Sequence, residues 1–117
     1  MKTYQGACHC GAVAFSFRSP EIQSAMRCDC SICSRKGITM SADVIPFNDM
    51  TIERGGDMLN THQFGTMRAR HHFCRVCGVH AFVEIMRAEE CYRINLGCVD
   101  ALDALRLPYE IFEGRRL

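Results

Sequence analysis

Seven of the nine cysteines fall in three tight groups: Cys8 and Cys10 in CHC, Cys28, Cys30 and Cys33 in CDCSIC, and Cys74 and Cys77 in CRVCG. Thiols two or three residues apart are poorly placed to bridge each other, yet they converge readily on a soft cation. The cysteine count is odd, and the opening MKTYQGACHCGAV holds no apolar stretch of signal-peptide length. A reducing compartment is therefore expected, where disulfides are rare and metal binding is the leading use of clustered thiols.

A divalent zinc ion suits such ligands, because it accepts thiolates tetrahedrally and brings no redox chemistry. Seven ligands divide as four plus three. Cys8, Cys10, Cys74 and Cys77 would close a structural site that staples the first strand to a distant turn. Gly78, directly after Cys77, suits the tight turn in which backbone N–H groups face the sulfurs. Cys28, Cys30 and Cys33 offer three ligands from one short segment and leave a fourth position for water or an incoming thiol. The competing arrangement is a second closed site completed by a histidine, Cys91 or Cys98. Iron–sulfur spacings are absent.

Cys91 and Cys98 bracket CYRINLGC and read as core cysteines, since free cysteine is among the most buried residue types. His9 and Asp29 stand between ligands. His62, His71, His72 and His80 read as surface or strand residues.

A net charge of +1 argues against a non-specific nucleic-acid binder, and thiolates around metal would make the sum still less attractive to a polyanion. No apolar run approaches the roughly 18 residues of a membrane span. The expectation is a cytoplasmic protein, with 117 residues forming one domain over 1–117.

Val13, Phe15 and Phe17 alternate with smaller or polar residues, the period-2 mark of a half-buried strand. Further short strands are expected at Ala25 to Cys28, Ile38 to Val44, Met50 to Arg54, Leu59 to Phe64, Met67 to Phe73, Val79 to Met86 and Tyr92 to Cys98. Helices are expected only at Ser31 to Lys36 and Asp100 to Leu105. The fold class is mainly β, with short antiparallel sheets.

The motifs GACHCG (Gly6 to Gly11), CDCSICSR (Cys28 to Arg35) and FCRVCG (Phe73 to Gly78) resemble the glutathione-dependent formaldehyde-activating enzyme family, which also contains centromere protein V. The likeness in order and spacing covers almost the whole chain. It implies an Mss4-like fold of β-sheets around zinc, with a structural ion on Cys8, Cys10, Cys74 and Cys77 and a catalytic ion on Cys28, Cys30 and Cys33. Asp29 stands where members of the family commonly carry histidine.

The implied activity is that of a carbon–sulfur lyase acting on a small thiol adduct, joining glutathione and formaldehyde to S-hydroxymethylglutathione. Arg35 and Lys36, beside the triplet, and Arg68 and Arg70, on the strand leading into Cys74, are the candidates to meet the carboxylates of such a thiol. Two other classes compete: a thiol carrier without chemistry, and a zinc-stabilised interaction module.

Overall fold

The computed structural model describes residues 1–86 and 89–116. Among them the chain forms β1 (Lys2–Ala7), β2 (Ala14–Ser19), β3 (Ala25–Cys28), α1 (Ser31–Lys36), β4 (Met40–Ser41), β5 (Ile45–Pro46), β6 (Met50–Arg54), β7 (Leu59–His62), β8 (Ala69–Cys74), β9 (His80–Met86), β10 (Glu90–Ile94) and β11 (Tyr109–Phe112). They assemble as three sheets, ordered β1-β2-β6, β5-β10-β9-β8-β7 and β11-β3-β4. The class is mainly β, as expected, and β11 against β3 is the parallel pair in otherwise antiparallel ladders.

Alternation decides which faces meet. On β2, Phe15 and Phe17 are 1% exposed, and on β9 Phe82 is equally buried. These rings join Tyr4, Tyr92, Ile94 and Leu96 in the main core. Phe15 meets Phe82 edge-on at 5.7 Å, and Phe82 meets Tyr92 edge-on at 5.4 Å. Each buried phenylalanine stabilises the fold by about 2 kcal/mol. The next residues along β9, Val83 and Ile85, point to the opposite face and pack with Ala69, Met26, Met40 and the cysteine triplet in a second cluster.

Several expectations needed correction. No helix spans Asp100 to Leu105; only a single 3-10 turn forms, at Ala104–Arg106, because Asp103 before it leaves the helical region at φ −97°, ψ 86°. Leu105 is 85% exposed, so its spacing from Leu102 marks no buried stripe. The strand expected from Ile38 to Val44 shortens to β4, since Ala42 to Val44 turn into solvent. The strand expected from Tyr92 to Cys98 ends at Ile94: Asn95 folds its side chain onto the N–H of Gly97 and starts a 3-10 turn over Leu96–Cys98. Strands β1, β5 and β11 were not anticipated. No helix among the described residues is long and apolar enough to cross a membrane.

Candidate metal centre

Two matching turns build the four-cysteine group. Cys8 closes its turn by donating its N–H to Val13 O at 3.0 Å, and Cys74 does the same to Val79 O at 3.0 Å. Gly11 and Gly78 stand in the left-handed region, at φ 79° and 78°, which a side chain would strain. The turns aim backbone donors at sulfur: Val13 N–H reaches Cys8 Sγ at 3.3 Å, and Val76 N–H reaches Cys74 Sγ at 3.4 Å. Cys8 and Cys74 are buried, while Cys10 and Cys77 stand nearer solvent.

The four sulfurs lie within 4.8 Å of one another. Cys10 Sγ is 3.7 Å from both Cys8 Sγ and Cys74 Sγ, far beyond a covalent S–S bond. Four thiolates held about 2.3 Å from one ion in a tetrahedron stand roughly 3.8 Å apart, so the group has the dimensions a zinc ion requires. The N–H groups of Val79 and Cys10 bring the Cys77 thiol down to about 6, which favours the thiolate a metal needs.

The triplet is one structural unit. β3 delivers Cys28, Cys30 caps α1 by accepting the N–H of Cys33 on its sulfur at 3.4 Å, and α1 ends one turn past Cys33, where Gly37 at φ 64° returns its N–H to Cys33 O. The three sulfurs also lie within 4.8 Å of one another. Burial pushes the Cys30 thiol up, but the Cys33 N–H and the neighbouring thiols outweigh it and leave Cys30 below the ordinary range. Burial and its neighbours push Cys33 upward. Three thiols crowded together cannot all ionise unaided, and a cation resolves that conflict.

Among the described residues, no histidine, carboxylate or further cysteine joins the triplet. Cys98 is buried and directs its thiol to His80 O at 3.6 Å; burial raises it to about 11. Cys91 is half-buried on β10, opposite Ile85. The triplet therefore gathers three candidate ligands, and among the described residues neither Cys91 nor Cys98 stands with them.

The segment after β11 crosses the triplet. Asp29 N–H donates to Phe112 O at 3.1 Å, and a Cβ at Gly114 would overlap Cys28 Sγ and come within 3.1 Å of Cys30 Cβ. Only a glycine lets the backbone lie this close. A hollow of about 540 Å³ runs along β3 and β11, lined by Met26, Ala42, Arg93, Tyr109 and Phe112, with Cys28 at the end of the same strand pair.

The four basic candidates are dispersed. Arg35 is exposed, its guanidinium resting on Ser31 O at 2.7 Å. Lys36 turns inward, with Nζ 2.8 Å from His71 Nδ1 and 3.2 Å from His80 Nδ1. Arg68 precedes β8 and is exposed. Arg70 lies on the opposite side of β8 from His71 and pairs with Glu84 at 3.3 Å, beside His72 at 3.1 Å from the same carboxylate.

The Lys36, His71 and His80 cluster escaped sequence reasoning, which took the histidines singly. Burial and then the Lys36 charge lower His71 to about 4 and His80 to about 3, so both imidazoles are neutral.

A family model described as "Glutathione-dependent formaldehyde-activating enzyme" matches residues 3–115. The chain belongs to this family. A curated protein of Halomonas elongata, provisionally named a glutathione-dependent formaldehyde-activating enzyme, is 32% identical over 83 residues, covering 62% of this chain and 50% of the relative. The chain thus matches about half the length of that relative. A crystal structure of a Rhodobacter sphaeroides protein, solved by structural genomics, superposes with a TM-score of 0.78 at 33% identity, covering 91% of this chain and 99% of the other. Two cysteine groups of the size and donor type for metal, in a member of this family, are the core of its candidate site.

Proposed function

We propose that the protein is a zinc-dependent carbon–sulfur lyase-like enzyme that joins a small thiol, glutathione, to formaldehyde. The observation that carries this reading is the triplet, which gathers three sulfurs, in contrast to the other group, which gathers the four a closed zinc site needs. The family match and the provisional name of the Halomonas relative support the same thiol and aldehyde.

In the reaction the glutathione sulfur forms a bond to the formaldehyde carbon. The carbonyl π pair moves to oxygen, which takes the proton the thiol gives up, and S-hydroxymethylglutathione results with nothing else consumed. Zinc, when bound by Cys28, Cys30 and Cys33, supplies a site that holds sulfur as thiolate. The chain's own contribution is orientation: a thiol fixed beside a small aldehyde replaces a bimolecular encounter with an intramolecular one. Arg35, on the helix that carries Cys33, is the nearest exposed cation in sequence for a glutathione carboxylate. Arg68 extends the basic surface, and Arg70 serves only on leaving Glu84. A cytoplasmic setting, where glutathione is abundant and thiols stay reduced, fits this chemistry.

The test is the initial rate of S-hydroxymethylglutathione formation with protein far below substrate, against the spontaneous reaction. A rate proportional to protein and abolished in Cys33→Ser supports the enzyme. Glutathione binding with no rate above background would replace it with a carrier.

A further inference from the structure

Lys36 follows Cys33 by three residues on α1, so the two side chains leave the same face of the helix. Its Nζ sits between His71 Nδ1 and His80 Nδ1, at 2.8 and 3.2 Å. An ammonium donates and never accepts, so both Nδ1 atoms are acceptors and both rings carry their proton on Nε2. The two imidazoles are 5% and 8% exposed, and His80 Nε2 has no hydrogen-bond partner among the described residues. A buried cluster with an unpaired donor weakens a fold, and a chain retains such an arrangement where something else depends on it.

What depends on it lies one helical turn away. Cys33 stands one turn back from Lys36 on α1, and its sulfur gathers with those of Cys28 and Cys30. Three thiolates on a divalent ion leave a net charge of −1 in surroundings that include Met26, Met40 and Val83. Such apolar walls screen charge poorly. The seat made by the two imidazoles keeps the ammonium on that side of β8 and away from Glu84, which faces Arg70 and His72 on the other.

We propose that Lys36, fixed in place by His71 and His80, is a positioning residue of the three-cysteine centre: it neutralises the excess charge of three thiolates on a divalent ion and sets how tightly that ion is held. This role rests on the triplet being a metal site and is independent of which thiol or aldehyde the enzyme takes.

The experiment loads the full chain with zinc, counts ions by native mass spectrometry, and titrates each site with a competing chelator. Wild type holding two ions establishes the metal site; one ion would overturn the site reading itself and the inference with it. With two ions present, Lys36→Gln weakens the triplet ion tenfold or more, in the range typical of groups that support metal ligands from behind, while the four-cysteine ion is unchanged. Lys36→Arg, keeping the charge, recovers most of the loss. In cobalt-loaded protein Lys36→Gln also shifts the thiolate charge-transfer band of the triplet. Triplet affinity within twofold of wild type in Lys36→Gln overturns the role, as does equal weakening of both ions. Should Lys36→Gln fail to fold, His71→Asn loosens the seat without removing the charge; a severalfold weaker triplet ion is expected, and no change overturns the proposal.

Discussion

Arg115 holds Asp29 at two points: its backbone N–H donates to Oδ1 at 3.0 Å, and its Nε lies 3.3 Å from Oδ2. Asp29 is flanked by two triplet cysteines, and its own N–H is bonded to Phe112 O. The stretch from Phe112 to Arg115 is thereby tied across the three-cysteine centre. A carboxylate presents two acceptor oxygens, whereas the histidine common at this position in the family offers one acceptor at most. The aspartate accounts for the second tie.

Replacing Asp29 with alanine should free that stretch without unfolding the protein. Arg115 is 72% exposed, and an ion pair this open contributes no more than about 1 kcal/mol. Hydrogen exchange at residues 113–116 should accelerate severalfold while the midpoint of chemical denaturation barely moves. Unchanged exchange would show that the Gly114 contact alone holds the segment.

Gly114→Val should be far more disruptive at the triplet than its exposed surroundings suggest. The new Cβ would occupy the space of Cys28 Sγ, so either the segment lifts away or Cys28 rotates out. Native mass spectrometry should find one ion bound more weakly, with the four-cysteine ion retained. Two ions held as in wild type would mean that the segment yields without cost to the cysteines.

The two cysteine groups should differ in what they do for the fold. Cys74 is 0% exposed, lies in a core cluster with Cys8 and Val13, and joins segments 64 residues apart. Cys74→Ser should lower stability by upward of about 4 kcal/mol, since loss of a structural metal ranks among the largest single-site effects. Cys28→Ser, in a locally built group, should lower it much less. Denaturation of the two variants in zinc-containing buffer settles the order.

Acid should destabilise the protein through His71 and His80. Both titrate lower in the fold than the ordinary value near 6.5, at about 4 and about 3. Their contribution is therefore complete above pH 6.5. It is lost as pH falls below 6.5, where the unfolded chain binds protons that the folded chain refuses, until about pH 3. At pH 5 the loss is on the order of 2 kcal/mol per histidine. The double variant His71→Phe, His80→Phe should show a flatter fall of stability between pH 7 and 5 than wild type; parallel curves would assign the acid sensitivity elsewhere.

The cysteine spacing and the strand alternation carried the reading of this chain far. CHC and CRVCG announce paired turns because the glycine after each pair has a stereochemical job, and Phe15 and Phe17 announce β2 because a half-buried strand has a period of two. β11 was invisible for a physical reason: Tyr109, Ile111 and Phe112 are all substantially exposed, so no alternation marks the strand, and its pairing with β3 is set by a partner about 84 residues away. The segment 100–105 misled because Leu102 and Leu105 fall at helical spacing while the backbone at Asp103 is not helical. Lys36 looked like half of a solvated basic pair with Arg35, and only the meeting of α1 with β8 and β9 separates the two.

The two cysteine groups also differ in when they can exist. The triplet is complete once residue 33 has been made, whereas Cys8 and Cys10 wait for Cys74 and Cys77, the nearer of which is 64 residues beyond Cys10. During synthesis five thiols are thus on hand before Cys74 and Cys77 emerge, and the first ion captured has a choice of ligands that the finished protein no longer offers. Correct metallation would then be a matter of exchange: Cys8 and Cys10 would surrender any ion shared with the triplet when the second turn arrives, and the segment through Gly114, made after both turns, would come to rest over a centre already sorted.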